Sequence, residues 1–389
     1  MHMLPVAILG VHLKSDGYPN VTYRIQAMQA SAATPLPEIN YAFRTDFDTS
    51  KNQSSILNRL WSLVRFLYAH ANVFVRSFGL DRRSACYIPY PGVLLLLLFS
   101  FVPRALRVRA LVVDAFISIY DTAVNDRKLV RSSSVAGRLI RWVENRAYSV
   151  ADVVVVDTIF SAQYFTDTFP SLQARQVVVL PLSIDESLFS SVEYRPNRSA
   201  CHVIFLGTFV PLQGVRTIAE AAVLLANHNE IHFSIIGTGQ TTAIVEEIFA
   251  SRECGNIKWL TDWQNKEQVR SHIISSDICL GIFGDSEKAQ RVWPFKNYHY
   301  MAIGRALITG DTQCAAHLEG KSGHCRPFLT VPCGDAHALA EAITVLAASP
   351  ERRSELANAS REFYAAHLSS KVAADQLLAI LQHISTNAV

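Results

Sequence analysis

The sequence lacks the residue patterns that mark several large classes of protein. Its 7 cysteines are scattered without a C-x-x-C pair, and their odd number argues against a disulfide framework. This usage is typical of a reducing compartment, so we expect a cytoplasmic protein. No H-E-x-x-H motif and no cysteine pair with metal-ligand spacing is present, and we therefore expect neither a bound metal nor a separate cofactor.

The sequence also has no large excess of positive or negative charge. The formal net charge is only +3, and the sequence motifs of RNA- and DNA-binding domains are missing, so we expect no nucleic acid partner. Hydrophobic residues make up 50% of the 389 residues and charged residues only 18%, which allows sizeable buried cores. A chain of this length is expected to form two domains.

Long hydrophobic runs are missing too. The first residues, MHMLPVAILG, have no basic segment before the apolar one and are typical of a first strand rather than a signal peptide. The most apolar run, residues 93–102, is about half as long as the ~20 residues that a membrane-spanning helix needs. We expect a buried helix here. The alternative is a helix that lies on an anionic membrane surface, which nearby basic residues would favour. These residues are Arg104, Arg107, Arg109, Arg138, Arg141 and Arg146.

Short apolar segments alternate with helical patterns, which is typical of parallel α/β sheets. In the first half, strands are predicted at residues 6–11, 85–88, 110–113, 151–156 and 176–180. Residues 182–189 and 194–199 lose this periodicity and are predicted to form a linker. The alternation then starts again, with strands predicted at residues 202–206, 232–236, 257–260, 278–282 and 306–309.

The repeated pattern predicts an α/β protein of two doubly wound, Rossmann-like domains. A ligand would bind in the cleft between them, at the carboxyl ends of the strands. The predicted boundaries are residues 1–190 for the first domain and 191–369 for the second. Residues 370–389 are predicted to form a last helix that is able to cross back to the first domain.

One loop of the second half follows a predicted strand and leads into a helix. It contains Gly207, Thr208, Gln213 and Gly214. The free amides and the dipole of a helix N-terminus suit a phosphate, and glycines let the backbone approach it closely. Glycines at an ordinary strand-to-helix turn are the alternative interpretation.

Two further loops follow the next predicted strands. The first contains Gly237 and Gly239, but position 242 is threonine, so the three-glycine fingerprint of NAD-binding proteins is incomplete. The second contains Asp262 and Trp263, which could offer backbone groups or a ring face to a nucleobase. Packing between domains is an equally good interpretation of Trp263.

Two cations, Arg291 and Lys296, stand where a predicted buried strand meets a helix. Lysine and arginine are almost never buried unless they are paired. Ordinary surface charge is one interpretation. We favour a clamp for a diphosphate, because the charge that develops on a leaving group needs fixed cations where no metal site exists.

Four segments of the second half stand in a distinctive order and spacing, namely residues 207–215, 236–239, 276–281 and 294–304. In this respect the sequence resembles family 4 glycosyltransferases of GT-B fold. The resemblance is firm over residues 200–370 and weaker in the first half, where residues 112–122 and 179–185 are similar to acceptor-domain and linker segments. It implies transfer of a sugar from a nucleotide-diphosphate donor to an acceptor, with retention of anomeric configuration and without a metal.

The sequence departs from the family pattern at three positions. Gln213 replaces the usual lysine before the glycine of the first loop. Arg291 and His299 replace the two glutamates of the E-x7-E motif, of which the second normally binds the donor ribose. Arg291 would supply the cation lost at Gln213, and His299 would still hydrogen-bond a hydroxyl group. The departures indicate either a rearranged clamp or a non-catalytic relative.

Candidates in the first half are fewer. Asp114 ends a predicted strand, so we expect it to point into the cleft and to orient or deprotonate an acceptor hydroxyl. A helix-capping or structural role is the alternative. The resemblance places the loop ending at Gly17, with Asn20, where family members contact donor phosphate or acceptor, and Arg24 follows on the next helix. Weaker candidates are Asp121 and Arg127.

The resemblance implies a retaining, metal-independent glycosyltransferase of hexosyltransferase type. It would move a sugar from a nucleotide sugar to a glycan or lipid-linked acceptor in polysaccharide biosynthesis. It would act from the cytoplasm, with peripheral contact with an anionic membrane. A nucleotide-sugar epimerase of the same architecture and a non-catalytic sugar-nucleotide-binding relative are the alternatives.

Overall fold

The computed structural model describes residues 6–13, 19–43, 56–108, 110–252, 254–323 and 325–387. Backbone contacts divide the chain into two compact units, Met1–Ser183 with Ser370–Val389 and Ile184–Ser369. The division falls inside the segment 182–189 for which a linker is predicted. The candidate residue Gly17 lies outside the described residues.

The first unit is built on one six-stranded parallel sheet. Its strands are β1 (Val6–Leu13), β2 (Glu38–Phe43), β3 (Ala85–Ile88), β4 (Ala110–Asp114), β5 (Val153–Val156) and β6 (Val177–Val179). They pair in the order β2-β1-β3-β4-β5-β6. All four valines of β5 are buried, as expected for a parallel strand covered by helices on both faces.

Helices cover both faces of this sheet. They are α1 (Pro19–Ser31), α2 (Ile56–Ser77), α3 (Val93–Phe99), α4 (Val135–Tyr148) and α5 (Ile159–Thr168). The first helix packs on one face and the other four contribute to the core on the opposite face. Side chains cap two of the helices, because Ser134 and Thr158 accept hydrogen bonds from the backbone amides of Gly137 and Ser161.

The leucine-rich run forms α3, which lies in the core. Leu95, Leu96 and Phe99 are completely buried, and the remaining leucines of the run are half-buried. The expectation of a buried helix is therefore confirmed, and the alternative in which α3 itself lies on a membrane is wrong. Within the described ranges, no helix is long and apolar enough to cross a membrane.

The second unit repeats the plan with another six-stranded parallel sheet. Its strands are β7 (Cys201–Leu206), β8 (Ile231–Ile236), β9 (Ile257–Leu260), β10 (Ile278–Leu280), β11 (Ala306–Gly310) and β12 (Leu329–Val331). They pair in the order β12-β11-β10-β7-β8-β9. The prediction of an α/β protein with two doubly wound parallel sheets is confirmed.

The helices of the second unit lie between and after these strands. They are α6 (Val215–Leu224), α7 (Thr242–Ala250), α8 (Lys266–Ile274), α9 (Glu287–Arg291), α10 (Phe295–Ile303), α11 (Gln313–Glu319), α12 (Ala336–Ala347) and α13 (Pro350–Phe363). The last helix of the chain, α14 (Ser370–Asn387), belongs to the first unit. There it packs beside α1, and Ala374, Leu377 and Leu381 are buried in the core.

Candidate functional site

The sheet of the second unit has a topological switch point between β7 and β10. From β7 the chain continues to β8 and β9 on one side, whereas β10, β11 and β12 lie on the other side. Ligands of doubly wound sheets bind in the crevice outside the carboxyl ends of the strands at such a point. The loops after β7 and β10 therefore mark the candidate site.

Glycines let these loops approach each other closely. Gly214 has a φ of 63°, and a Cβ there would lie 2.3 Å from the carbonyl carbon of Phe283. Gly237 has a φ of 138°, and a Cβ there would lie 1.9 Å from the carbonyl oxygen of Gly207. Contacts within the protein already require both glycines, so the glycines alone do not identify a ligand.

Lys296, in the first turn of α10, points into this crevice. Its ammonium donates to the side-chain oxygen of Gln213 and to the carbonyl oxygen of Gly281, the latter at 3.2 Å. It also lies 3.8 Å from the centroid of the Phe205 ring. A Cβ on Gly207 would come within 3.0 Å of the ammonium nitrogen. Lys296 thus connects the loop after β7 with the residue that follows β10.

The electrostatic position of Lys296 is unfavourable. The side chain is only 8% exposed, and no carboxylate of the described residues lies within ion-pair distance of it. Burial lowers its pKa far below the usual value for lysine. The positive end of the α10 dipole adds to the cost of a cation in the first turn. An anionic ligand would remove this imbalance.

Arg305 shows how the same unit stabilises another buried cation. Its guanidinium donates to the carbonyl oxygens of Gly304 at 2.8 Å and Ile274 at 2.9 Å. These residues lie at the carboxyl ends of α10 and α8, where the helix dipole is negative. Arg305 therefore has a structural role, because helix C-termini compensate its charge. Lys296 lies at a helix N-terminus, where the dipole does not compensate a positive charge.

The N-terminus of α6 lies beside the same contacts, because only Gly214 separates Gln213 from Val215, the first residue of the helix. Gly214 precedes the helix and offers no capping side chain, and the first turn contains no acidic residue. Side chains cap seven other helices of the described chain, namely Ser134, Thr158, Asn265, Ser286, Thr312, Asp335 and Ser349. The first amides of α6 are left without such an acceptor, which suits a phosphate oxygen.

His299 lies one turn further along α10. Its ring is half-buried and stacks on the ring of Phe189, with 4.0 Å between the centroids. Burial lowers the pKa of His299 to about 4. The imidazole is therefore neutral at neutral pH and is able both to donate and to accept a hydrogen bond. A neutral donor and acceptor suits a hydroxyl group, as predicted for the donor ribose.

Arg291 ends α9 and is half-buried. Its Nε donates to the carbonyl oxygen of Glu287 at 3.3 Å, within the same helix. The contacts that hold Lys296 come from Phe205, Gln213 and Gly281 and do not include Arg291. The joint clamp of Arg291 and Lys296 stays a prediction.

The remaining candidates of the second unit lie in exposed loops. Thr208 and Gly239 are exposed after β7 and β8. Asp262 and Trp263 follow β9 at the edge of the sheet, and Trp263 is 68% exposed, which leaves its ring face accessible. Their predicted contacts with a nucleotide stay predictions.

Asp114 ends β4 as expected, but its surroundings differ from those predicted for a base that contacts an acceptor. Its carboxylate is buried and accepts hydrogen bonds from Arg24 at 2.7 Å, Tyr87 at 2.8 Å and Asn20 at 3.3 Å. Arg24 also donates to the carbonyl oxygen of Pro181. Three protein side chains thus occupy this carboxylate. The structure thus supports the structural alternative for Asp114.

The same network corrects the expectation for two neighbours. Asn20 and Arg24, considered as ligand contacts, are buried and bind Asp114 instead. The side-chain oxygen of Asn20 also accepts from the backbone amide of Ser183 at 2.7 Å. Of the weaker candidates, Asp121 is buried and accepts from Asn125 at 3.0 Å, whereas Arg127 is exposed.

Sequence reasoning missed two features of the site. The contact between Lys296 and Gln213 joins two candidates that are 83 positions apart. Asn297 is completely buried beside Lys296, and neither polar atom of its side chain has a hydrogen-bond partner in the described chain. A lysine followed by asparagine at a helix start was the only available signal. No group of three or more histidine, cysteine, aspartate or glutamate side chains placed to hold a metal occurs among the described residues.

Comparison with known proteins agrees with this architecture. Residues 200–349 match the sequence model of a family described as glycosyl transferases group 1. No curated protein matches the chain.

Solved structures are similar over nearly the whole chain. HepE of Anabaena in complex with UDP has a TM-score of 0.67 at 12% sequence identity, covering 97% of this chain and 100% of its own. Sucrose-phosphate synthase of Thermosynechococcus elongatus has a TM-score of 0.69 at 15% identity, covering 98% and 99%. A glycosyltransferase of Rickettsia africae has a TM-score of 0.64 at 12% identity, covering 98% and 99%. Residues 200–349 are therefore similar to group 1 glycosyltransferases, and the chain has the GT-B fold that its sequence predicts.

Proposed function

We propose that this protein is a retaining glycosyltransferase that moves a sugar from a nucleoside-diphosphate sugar to a glycan or lipid-linked acceptor. The observation that carries the proposal is the ammonium of Lys296, buried at the switch point of the second unit without a carboxylate partner among the described residues. A donor diphosphate would supply the missing negative charge.

The donor is proposed to be a uridine diphosphate sugar in the first instance. HepE has been solved with UDP and with UDP-glucose, and its fold is shared by this chain. The switch point offers both a cation and uncapped helix amides, which is the chemistry that a diphosphate requires. His299 would hydrogen-bond the ribose in place of the family glutamate.

The proposed reaction breaks the bond between the sugar's anomeric carbon and the diphosphate oxygen. Negative charge then grows on the leaving diphosphate, where Lys296 and the first amides of α6 would stabilise it. Arg291 is proposed to contribute from the end of α9. The acceptor hydroxyl would attack from the face that the diphosphate leaves and give its proton to the departing diphosphate oxygen, which retains the anomeric configuration.

We place the reaction in the cytoplasm, in polysaccharide or lipid-linked oligosaccharide assembly. All seven cysteines lie in the described chain, and all are free thiols. Free thiols are typical of a reducing compartment, where nucleotide sugars would reach the site directly.

A thermal-shift screen of UDP-, GDP- and dTDP-sugars tests donor binding. A ligand that binds only the folded protein raises its melting temperature, and we expect a UDP-sugar to give the largest rise. A protein that no nucleotide sugar stabilises would contradict the proposal.

Product analysis then separates the three possible activities. A transferase releases UDP and forms a glycoside only when an acceptor is added. An epimerase would change the sugar nucleotide without an acceptor. Stabilisation by a UDP-sugar with neither product would support the non-catalytic alternative. This alternative is tested because Arg291 and His299 replace both motif glutamates.

Metal independence is tested by chelation. Because protein groups are proposed to stabilise the leaving diphosphate, transfer is expected to continue at the same rate in EDTA. Loss of transfer in EDTA with recovery on adding Mg²⁺ or Mn²⁺ would show that a metal ion carries this role.

A further inference from the structure

The outer surface of the first unit is unusually apolar along α2. The inner face of this helix packs Ala69 and Val73 into the core. Large apolar side chains also cover its outer face, where Trp61 is 64% exposed. The exposed apolar residues of this face are Leu60, Trp61, Leu63, Val64, Leu67, Tyr68 and Val75. A contiguous set of large exposed apolar side chains marks an interaction surface, so this face favours a second apolar environment.

Helix α4 has the same character on the same side of the sheet. Val135, Leu139 and Trp142 are exposed, Trp142 by 55%, while Ala147 and Tyr148 of the same helix are buried. We call the exposed outer sides of α2 and α4, together with Phe101 between them, the outer helix face.

Contacts through α3 connect α2 with α4. The rings of Phe74 in α2 and Phe99 in α3 lie 5.2 Å apart. On the other side, Arg146 of α4 donates to the carbonyl oxygen of Ser100 at 2.7 Å. The same guanidinium lies 5.8 Å from the ring of Phe101, which is exposed. Helix α3 therefore lies between α2 and α4, and the exposed ring of Phe101 lies beside the guanidinium of Arg146.

The charges of this face are of one sign. The whole chain has 36 basic and 33 acidic residues, yet Glu144 is the only acidic residue in α2, α3 and α4. Glu144 is completely buried and accepts hydrogen bonds from Ser118 and Tyr148, among others. The exposed charged residues of the face are arginines, namely Arg65, Arg76, Arg138, Arg141 and Arg146.

We infer that the outer helix face docks on an anionic lipid surface. Tryptophan and tyrosine prefer the boundary between lipid and water, and leucine and valine enter the acyl region beneath it. Arginines beside them would meet anionic head groups. The occupant is thus a membrane surface that α2 and α4 contact lengthwise.

A second copy of the chain fits this face less well. A two-fold dimer would place the same patch on itself, and arginines would then face arginines without a carboxylate. Charge complementarity therefore favours lipid over self-association. The inference concerns a surface apart from Lys296, so its failure would leave the proposed transferase function intact.

Vesicle co-sedimentation of the full chain tests the inference. We expect binding to vesicles of equal parts phosphatidylglycerol and phosphatidylcholine, weakened by salt, and little binding to phosphatidylcholine alone. The variant Arg76→Gln/Arg138→Gln should bind about thirtyfold more weakly, from about 1 kcal/mol per basic residue. Trp61→Ser/Trp142→Ser should also weaken binding markedly, because both rings would leave the interface.

Matched variants in the second unit serve as controls. Trp263→Ser removes an equally exposed tryptophan, and Arg195→Gln/Arg352→Gln removes two exposed arginines. Both controls should bind vesicles like the wild type. The outer-face variants should keep the wild-type melting temperature and its rise with UDP-sugar, since their altered side chains are exposed.

Three outcomes would overturn the inference. These are no binding to anionic vesicles at low salt, equal weakening by the second-unit controls, and salt-independent binding to neutral vesicles. Self-association that Trp61→Ser/Trp142→Ser abolishes, without vesicle binding, would assign the face to a contact between copies instead.

Discussion

Asp114 and Lys296 are both buried charged side chains near the carboxyl ends of parallel strands, one in each unit. Asp114 is paired with Arg24 and receives further hydrogen bonds from Tyr87 and Asn20. Lys296 has two neutral oxygen acceptors and an aromatic ring, but no carboxylate in the described residues. The first charge is balanced inside the protein, whereas the second would be balanced only by a ligand.

Whether the protein itself compensates a buried charge therefore distinguishes a structural residue from a functional one better than the position of the residue in the fold. The sequence predicts a catalytic role for Asp114 because it ends a predicted strand, and for Lys296 because it is a cation where a predicted buried strand meets a helix. Burying a charge is costly unless a partner compensates for it. Removal of a compensated charge should therefore harm folding, while removal of an uncompensated charge should harm binding.

The largest expected effect is that of Asp114→Asn. It would leave the buried guanidinium of Arg24 without its counter-ion, which should lower the free energy of unfolding by about 3–5 kcal/mol. Urea denaturation measures the loss. Asp375→Asn is the control, because the Lys371–Asp375 pair is exposed and should contribute at most about 0.5 kcal/mol. If Asp114→Asn is as stable as the wild type but transfers no sugar, Asp114 acts on the substrate.

Lys296→Met should have the opposite signature. We expect UDP affinity to fall by about 1.5–3 kcal/mol, because a charge-assisted contact with the diphosphate is lost. The unliganded variant should be at least as stable as the wild type, since the cost of burying an ammonium is removed. Calorimetry with UDP and thermal unfolding measure the two effects.

The control for Lys296→Met is Lys258→Met, which removes an exposed lysine of β9. It should change neither UDP affinity nor the melting temperature. A clear loss of stability in Lys296→Met with unchanged UDP affinity would show that Lys296 is a structural residue like Asp114. It would contradict the assignment of Lys296 to ligand binding.

Arg291→Ala should have a smaller effect than Lys296→Met. Arg291 is only half-buried, so solvent screens its charge, and we expect UDP affinity to fall by about 1.5 kcal/mol at most. Lys288→Ala removes a cation from the same short helix and is the matched control. Equal affinities of Arg291→Ala and the control would exclude Arg291 from the clamp.

The sequence predicts most strands of the two sheets well but misses two strands at the sheet edges. Strands β3 and β9 were predicted with their observed bounds, because short apolar runs between helical patterns are characteristic of parallel strands. Two edge strands were missed. Strand β2 reads EINYAF, without a continuous apolar run, and β12 has only three residues.

The chemistry of the site was predicted less completely than the fold. Periodicity places Asp114 at the end of a strand and Lys296 near the start of a helix, but it does not show which residues surround them. Asp114 and Arg24 are separated by 90 positions, and Lys296 and Gln213 by 83. Such pairs depend on how the sheet brings distant loops together, so only the structure distinguishes a balanced charge from an unbalanced one.

The smallest expected effect concerns His299, which lies in the same helix as Lys296 but is neutral at neutral pH. Its folded-state pKa of about 4 lies below the value of 6.5 expected for the unfolded chain. Between these values the unfolded state binds a proton that the folded state does not, so stability should fall as pH decreases from 6.5 to about 4. His299→Gln does not titrate in this range and should lose less stability over it.

Glutamine also donates and accepts hydrogen bonds, so the UDP affinity of His299→Gln near neutral pH should be almost unchanged, whereas His299→Ala should bind UDP more weakly. The stability of each variant is measured by urea denaturation across this pH range, with His337→Gln as an exposed histidine control. If wild type and His299→Gln lose stability in parallel, burial does not lower the pKa of His299.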